Sequence, residues 1–279
     1  MVYAMESFEE ATVYLLRVAR VTAAQLFALG GPALILIYLT SKLSGCVHRM
    51  AYRAMGRSIY LLLFGWVGTT VHETAHALTA LLFGHRVVSF RPFAPTAKAG
   101  VLGNICTKYN EGNLYSHFGL FFIGIAPVVF GTLVMFLALY ALFRDQMYLV
   151  MDRVATEDFT IGSMIGDVLS SALAFVAFVF SPRHLLDWRL YLFLYIAFAV
   201  GSSIQLSDAD IKGARPGCVT FIVLLFLFNL VLVGVGGSSE STFDWLIRYY
   251  TIFYIILFFA ILLDLLAIVI LWLPAAIGA

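Results

Sequence analysis

Long apolar runs constrain this chain more than any other feature. Residues 21–40, 58–83, 118–143, 190–206, 217–236 and 249–273 are each dominated by aliphatic and aromatic side chains. A helix rises about 1.5 Å per residue, so about twenty such residues span a bilayer core of about 30 Å. Only 12% of the side chains are charged, where a soluble domain uses about 25% to solvate its surface. The expected fold class is therefore an all-α polytopic membrane protein with about six transmembrane helices, and the lipid bilayer is its first partner. A net charge of +1 offers no basic field, so no nucleic acid is expected. Cys46, Cys106 and Cys218 lie far apart without a C-x-x-C pair, which excludes a thiolate metal site and a disulfide framework. The first twenty residues hold Glu6, Glu9 and Glu10 and lack a basic start leading into an apolar core, so no signal peptide is expected.

The segments between the runs set the domain organisation. Phe8, Ala11, Leu15 and Val18 share one helical face, so residues 1–20 are expected to form an amphipathic helix lying on the bilayer. Residues 21–279 are expected to form one membrane domain with its core at 58–143 and 190–236. A basic loop carrying Lys42, Arg49, Arg53 and Arg57 follows the first run. Val87–Phe93 and Gly100–Tyr109 are short, β-prone and bounded by Pro or Gly, which predicts a small β-hairpin at the membrane face. Residues 144–166 are polar and acidic. The apolar run 167–181 is short for a crossing and is read as interfacial or re-entrant. With six spans, both termini share a side; eight Lys and Arg then fall on that side and nine on the other, so charge does not set the orientation.

The chemistry concentrates in the second run, as His72-Glu73-Thr74-Ala75-His76. Residues four apart on a helix lie about 40° apart on one face, so both imidazoles can share one Zn²⁺. Glu73 beside them can act as general base on a water that the metal activates. A carboxylate in hydrocarbon costs about 2.5–3.5 kcal/mol or more, so it normally has a task. A third ligand is needed. His85 follows His76 by nine residues and turns to the opposite face if the helix continues. Asp208 and Asp210, in Ser207-Asp-Ala-Asp-Ile-Lys-Gly213, lie between two runs. Asp210 is preferred, with Asp208 as runner-up, because six spans bring this loop to the same side as Glu73. The same acids also suit a plain helix start capped by Ser207. Asp264 stands alone in the last run and is read as a local polar contact. Gly124-Ile-Ala126-Pro127 interrupts the third run; small residues and a proline there read as helix packing.

Together the H-E-x-x-H helix, the hairpin after it, the Gly124–Pro127 element and Asp210 with Gly213 resemble the site-2 protease family of intramembrane zinc metalloproteases. The resemblance covers roughly residues 60–131 and 200–216. The family's usual Leu-Asp-Gly pattern reads here as Leu-Ser-Asp-Ala-Asp-Ile-Lys-Gly. The resemblance implies Zn²⁺ as cofactor and a membrane-protein substrate cut in or next to its transmembrane segment. It also implies a prokaryotic inner membrane with the active site toward the cytoplasm. The sequence carries no reading of oligomeric state. Two rivals remain: a prenyl-protein-processing metallopeptidase, which takes a glutamate as third ligand, and a non-catalytic metal-binding transporter or scaffold.

Overall fold

A computed structural model describes residues 2–94, 102–146, 161–235 and 239–277. The polar stretch expected at 144–166 lies outside the described residues over 147–160, as does the hairpin turn at 95–101. Among the described residues, four helices are long and apolar enough to cross a membrane: Glu9–Met55, Leu114–Leu142, Asp208–Gly234 and Tyr250–Trp272. Ile165–Val179 and Trp188–Gly201 are shorter apolar helices. The expected count of six spans does not describe this arrangement.

The first helix, α1 (Val2–Met55), is one continuous element of 54 residues. It absorbs three segments read separately from the sequence: the interfacial helix, the first span and the basic loop. Lys and Arg are good helix formers, and the stretch from 41 to 55 holds no proline and only Gly45, so nothing stops the helix before Gly56. Gly56 has φ of 81°, a left-handed conformation that suits glycine and reverses the chain. There follow α2 (Arg57–Tyr60), a π-helical turn (Leu61–Gly65) and α3 (Trp66–Leu82), which together fill the expected second span. Gly84, at φ of 72°, ends this run.

The hairpin is present. Strands β1 (Arg86–Arg91) and β2 (Asn104–Lys108) pair antiparallel, with an irregularity between Val87 and Ser89. Its far end packs back on the helices. Phe93 and Leu102, near its turn, pack on the cluster of Ala51, Tyr60 and Leu61, so the hairpin runs back alongside α3 from its base to its start.

Helix α4 (Leu114–Leu142) fills the third span. A 3₁₀ turn (Arg144–Gln146), α5 (Ile161–Val179) and α6 (Pro182–Leu185) lead to α7 (Trp188–Gly201). Then come α8 (Asp208–Gly234) and α9 (Ser239–Ile277). Two of the expected spans turn out to be one broken line. Going from α7 into α8, Phe193 meets Phe143, Ile204 faces Gly131, Ala214 faces Gly124 and Thr220 bonds His117. The partners on α4 retreat steadily, so α7 and α8 run in the same direction, antiparallel to α4. Residues 202–207 are an unwound link and not a reversing loop. The loop-parity reason for choosing Asp210 therefore does not hold, although Asp210 itself reaches the site. The first and last helices also run parallel, because Tyr254 bonds the carbonyl of Ala28 and Ser44 bonds Asp264 further along both. The shared side expected for the two termini is thus corrected.

Helix contacts follow the polar groups. Tyr254 donates to Ala28 at 2.8 Å and to Leu29 at 2.9 Å. Pro32 has no N–H for the Ala28 carbonyl four residues back, so the tyrosine satisfies it. Asn229 of α8 donates to Thr22 at 3.0 Å and to Gln25 at 2.6 Å, both on α1. The main core joins Val128, Met135, Leu139, Phe175, Phe193, Val200, Ile256 and Phe259 from α4, α5, α7 and α9.

Candidate metal centre

Helix α3 carries His72 and His76 one turn apart, and their rings meet edge to face with centroids 4.9 Å apart. Each ring is held by a main-chain carbonyl at Nδ1. His72 bonds Ser203 at 2.9 Å, and His76 bonds Ile123 at 2.7 Å. A carbonyl only accepts, so both Nδ1 atoms donate, and in the neutral rings both Nε2 atoms keep their lone pairs. Those lone pairs face one another at 3.2 Å.

Asp210 completes the group from the first turn of α8. His76 Nε2 lies 3.1 Å from its Oδ1, and His72 Nε2 lies 3.6 Å from its Oδ2. Oδ2 also accepts from the Ser207 amide and hydroxyl, each at 2.7 Å. The Ser207 hydroxyl in turn bonds the Asp210 amide at 3.2 Å, closing a capping box. The helix-start reading of Asp210 is met by this cap, and the same carboxylate faces the histidines, Oδ1 toward His76 and Oδ2 toward His72. Asp208 is exposed and stands outside the cluster.

Glycines bring the elements together. A Cβ on Gly124 would lie 2.4 Å from the Ala214 side chain and 2.9 Å from the Asp210 carbonyl. Any larger residue there would push α8, and Asp210 with it, away from α4. The link after α7 supplies Ser203 because the chain is unwound there, leaving its carbonyl free for His72.

Among the described residues, His72, His76 and Asp210 are the one group of this kind, with ligand atoms all within 4.8 Å of one another. With both imidazoles neutral these three acceptors repel, and a metal ion or a shared proton at their centre relieves the repulsion. A tetrahedral ion with bonds of about 2.0–2.1 Å would hold its ligand atoms about 3.3 Å apart. The two Nε2 atoms at 3.2 Å and His76 Nε2 with Asp210 Oδ1 at 3.1 Å lie close to that value, while His72 Nε2 comes within 3.6 Å of the other carboxylate oxygen, Oδ2. Two neutral imidazoles with one carboxylate suit Zn²⁺ better than Ca²⁺ or Mg²⁺. The donor set fits a zinc ion.

Glu73 lines the same cavity of about 860 Å³. A Cβ on Gly103 would come within 2.5 Å of the Glu73 Cγ, so the hairpin backbone lies directly against the carboxylate's stem. From His76 and Asp210 the cavity reaches Tyr60, Tyr52 and His48. Tyr60 precedes His76 by sixteen residues, about 24 Å along a helix. Helix α1 thus forms the far wall.

The other sequence candidates lie elsewhere. His85 is 2% exposed, bonds the Ser116 carbonyl at 2.8 Å and stacks on Tyr109. Asp264 is 1% exposed and accepts a 2.6 Å hydrogen bond from Ser44, the local polar contact expected of it. Sequence reasoning missed Ser203, Ile123 and the α1 wall, and read Ser207 as the helix cap that it is. One signal was available for Ile123: Pro127 lies four residues after it and cannot donate to its carbonyl. Comparison with protein-family models, with curated proteins and with solved structures finds no match for this chain.

Proposed function

We propose that this chain is an intramembrane zinc metalloprotease of the site-2 protease type, hydrolysing peptide bonds in or next to transmembrane segments of other membrane proteins. The observation that carries this reading is the convergence of His72, His76 and Asp210 beside Glu73 in one cavity. Zinc held by the three would supply Lewis-acid polarisation of the scissile carbonyl and a lowered pKa for water. Glu73 takes a proton from the attacking water and returns it to the leaving amine, a general-base and then general-acid role. Ser203 and Ile123 hold the two imidazoles in the tautomer that leaves Nε2 free. The Ser207 cap fixes the carboxylate of Asp210. A helical substrate hides its peptide bonds, so it must be held extended. The hairpin beside Glu73 offers a strand edge for that purpose. The membrane is proposed to be the inner membrane of a prokaryotic cell, with the site opening toward the cytoplasm, as the resemblance implies.

The test is Glu73→Gln. Glutamine is nearly isosteric but cannot take the proton, so zinc content should stay at the wild-type level. Cleavage of co-expressed membrane substrates should fall by about 10²–10⁴-fold. Unchanged cleavage would reject the protease reading and leave a metal-binding transporter or scaffold.

A further inference from the structure

We propose that Pro127 is a positioning residue for the metal centre: it leaves the Ile123 carbonyl without a helical donor, and that carbonyl fixes the ring of His76. The inference rests on the metal-site reading above. In an α-helix the carbonyl of residue 123 would accept from the N–H of residue 127. Proline has no N–H. In an apolar layer no water replaces the lost donor, so a freed carbonyl needs one from a neighbouring element. Here the neighbour is His76, whose Nδ1 lies 2.7 Å from the Ile123 oxygen. Donation from Nδ1 fixes the tautomer and turns the Nε2 lone pair toward His72 at 3.2 Å and Asp210 at 3.1 Å.

The same device occurs a second time and does something else there. Pro32 frees the Ala28 carbonyl, and Tyr254 fills it at 2.8 Å, tying α1 to α9. A proline that frees a carbonyl thus serves as a fastening at two places in this molecule. Only at α4 does the fastening hold a metal-facing ring. Gly124, three residues before Pro127, sets how closely α8 approaches with Asp210. The Gly124-Ile-Ala-Pro127 element therefore acts on two of the three donors, His76 through a freed acceptor and Asp210 through clearance.

The experiment compares wild type, Pro127→Ala and Pro32→Ala, purified whole in detergent, by competition for zinc with a chromophoric chelator. Alanine restores an N–H at position 127, which takes the Ile123 carbonyl back into the helix. Zinc affinity should then weaken by about 10–100-fold, the usual consequence of losing a partner that orients a ligand. The metal-free protein should melt no lower than wild type, because alanine suits a helix better than proline. Pro32→Ala should bind zinc as wild type does. Lactic acid installed at position 127 also lacks an N–H, and it should restore the wild-type affinity without the proline ring. If Pro127→Ala fails to fold, the lactic-acid protein carries the test alone. Nitrogen-15 spectra of the metal-free imidazoles should show His76 with its proton on Nδ1 in wild type and in the lactic-acid protein, and mixed tautomers in Pro127→Ala. Equal zinc affinity in wild type and Pro127→Ala, or no recovery with lactic acid, would overturn the inference. A wild type that binds no zinc would reject the metal reading itself, and the tautomer of His76 would still decide this inference.

Discussion

Two seams of this molecule bury polar groups among apolar helices, and they use them differently. Along the seam of α1 with α9, buried donors meet acceptors. Ser44 donates to Asp264, and Tyr254 donates to the Ala28 carbonyl that Pro32 leaves open and to that of Leu29. At the junction of α3, α4 and α8, a proline also frees a carbonyl and a side chain also fills it. Yet His72, His76 and Asp210 there turn three acceptors toward one point. The first seam pairs donors with acceptors, whereas the second gathers acceptors in the manner of a site that could hold a metal ion. A buried aspartate is therefore not by itself a sign of function in a membrane helix. The sign is what its oxygens lack.

Matched substitutions probe this difference. The largest effect is expected from Asp210→Ala set against Asp264→Ala. Elemental analysis should find about one zinc per chain in wild type and in Asp264→Ala, and strongly depleted zinc in Asp210→Ala, since a site of this class needs three protein ligands. Equal zinc in both variants would erase the distinction between the seams. A smaller effect is expected from Ser207→Ala. It removes a donor to Asp210 Oδ2 and the α8 cap together. Zinc should bind about 10-fold more weakly, and the melting temperature should fall with the loss of about 1 kcal/mol of capping. Zinc affinity unchanged in chelator competition would mean that the cap does not orient the carboxylate. The smallest effect is expected from Tyr254→Phe, which deletes only the hydroxyl on the first seam. It should cost about 0.5–1.5 kcal/mol in unfolding experiments and leave zinc binding untouched. Any change in zinc affinity there would show the seams to be coupled.

How much of this was legible in the sequence depends on which atoms make each feature. His72, Glu73 and His76 were readable because helical periodicity alone puts two side chains on one face. The hairpin was readable from its β-prone runs and punctuating Pro and Gly. Asp210 was found, but for a reason that fails: the chain does not reverse between α7 and α8. Hydropathy reports that two apolar runs exist, and it cannot say whether the link between them reverses the chain or continues it. The length of α1 was missed because charged residues were taken to mark a loop, although Lys and Arg favour helices. The second tier of the site was hardest to see, because Ser203 and Ile123 act through backbone oxygens that every residue possesses.

The in-line break between α7 and α8 has a consequence for water. Ala214, in the second turn of α8, meets Gly124 of α4, ten residues into that helix and so about 15 Å along it. Asp208, Lys212 and Arg215 lie on these same first turns of α8, all exposed. Each charge left against hydrocarbon would cost about 2.5–3.5 kcal/mol or more, and long cationic side chains escape by thinning the bilayer or drawing water to them. Three such groups around one broken segment place polar partners for water beside Asp210. On the protease reading proposed above, hydrolysis would consume a water in every turnover, and the charged start of α8 would be its inlet.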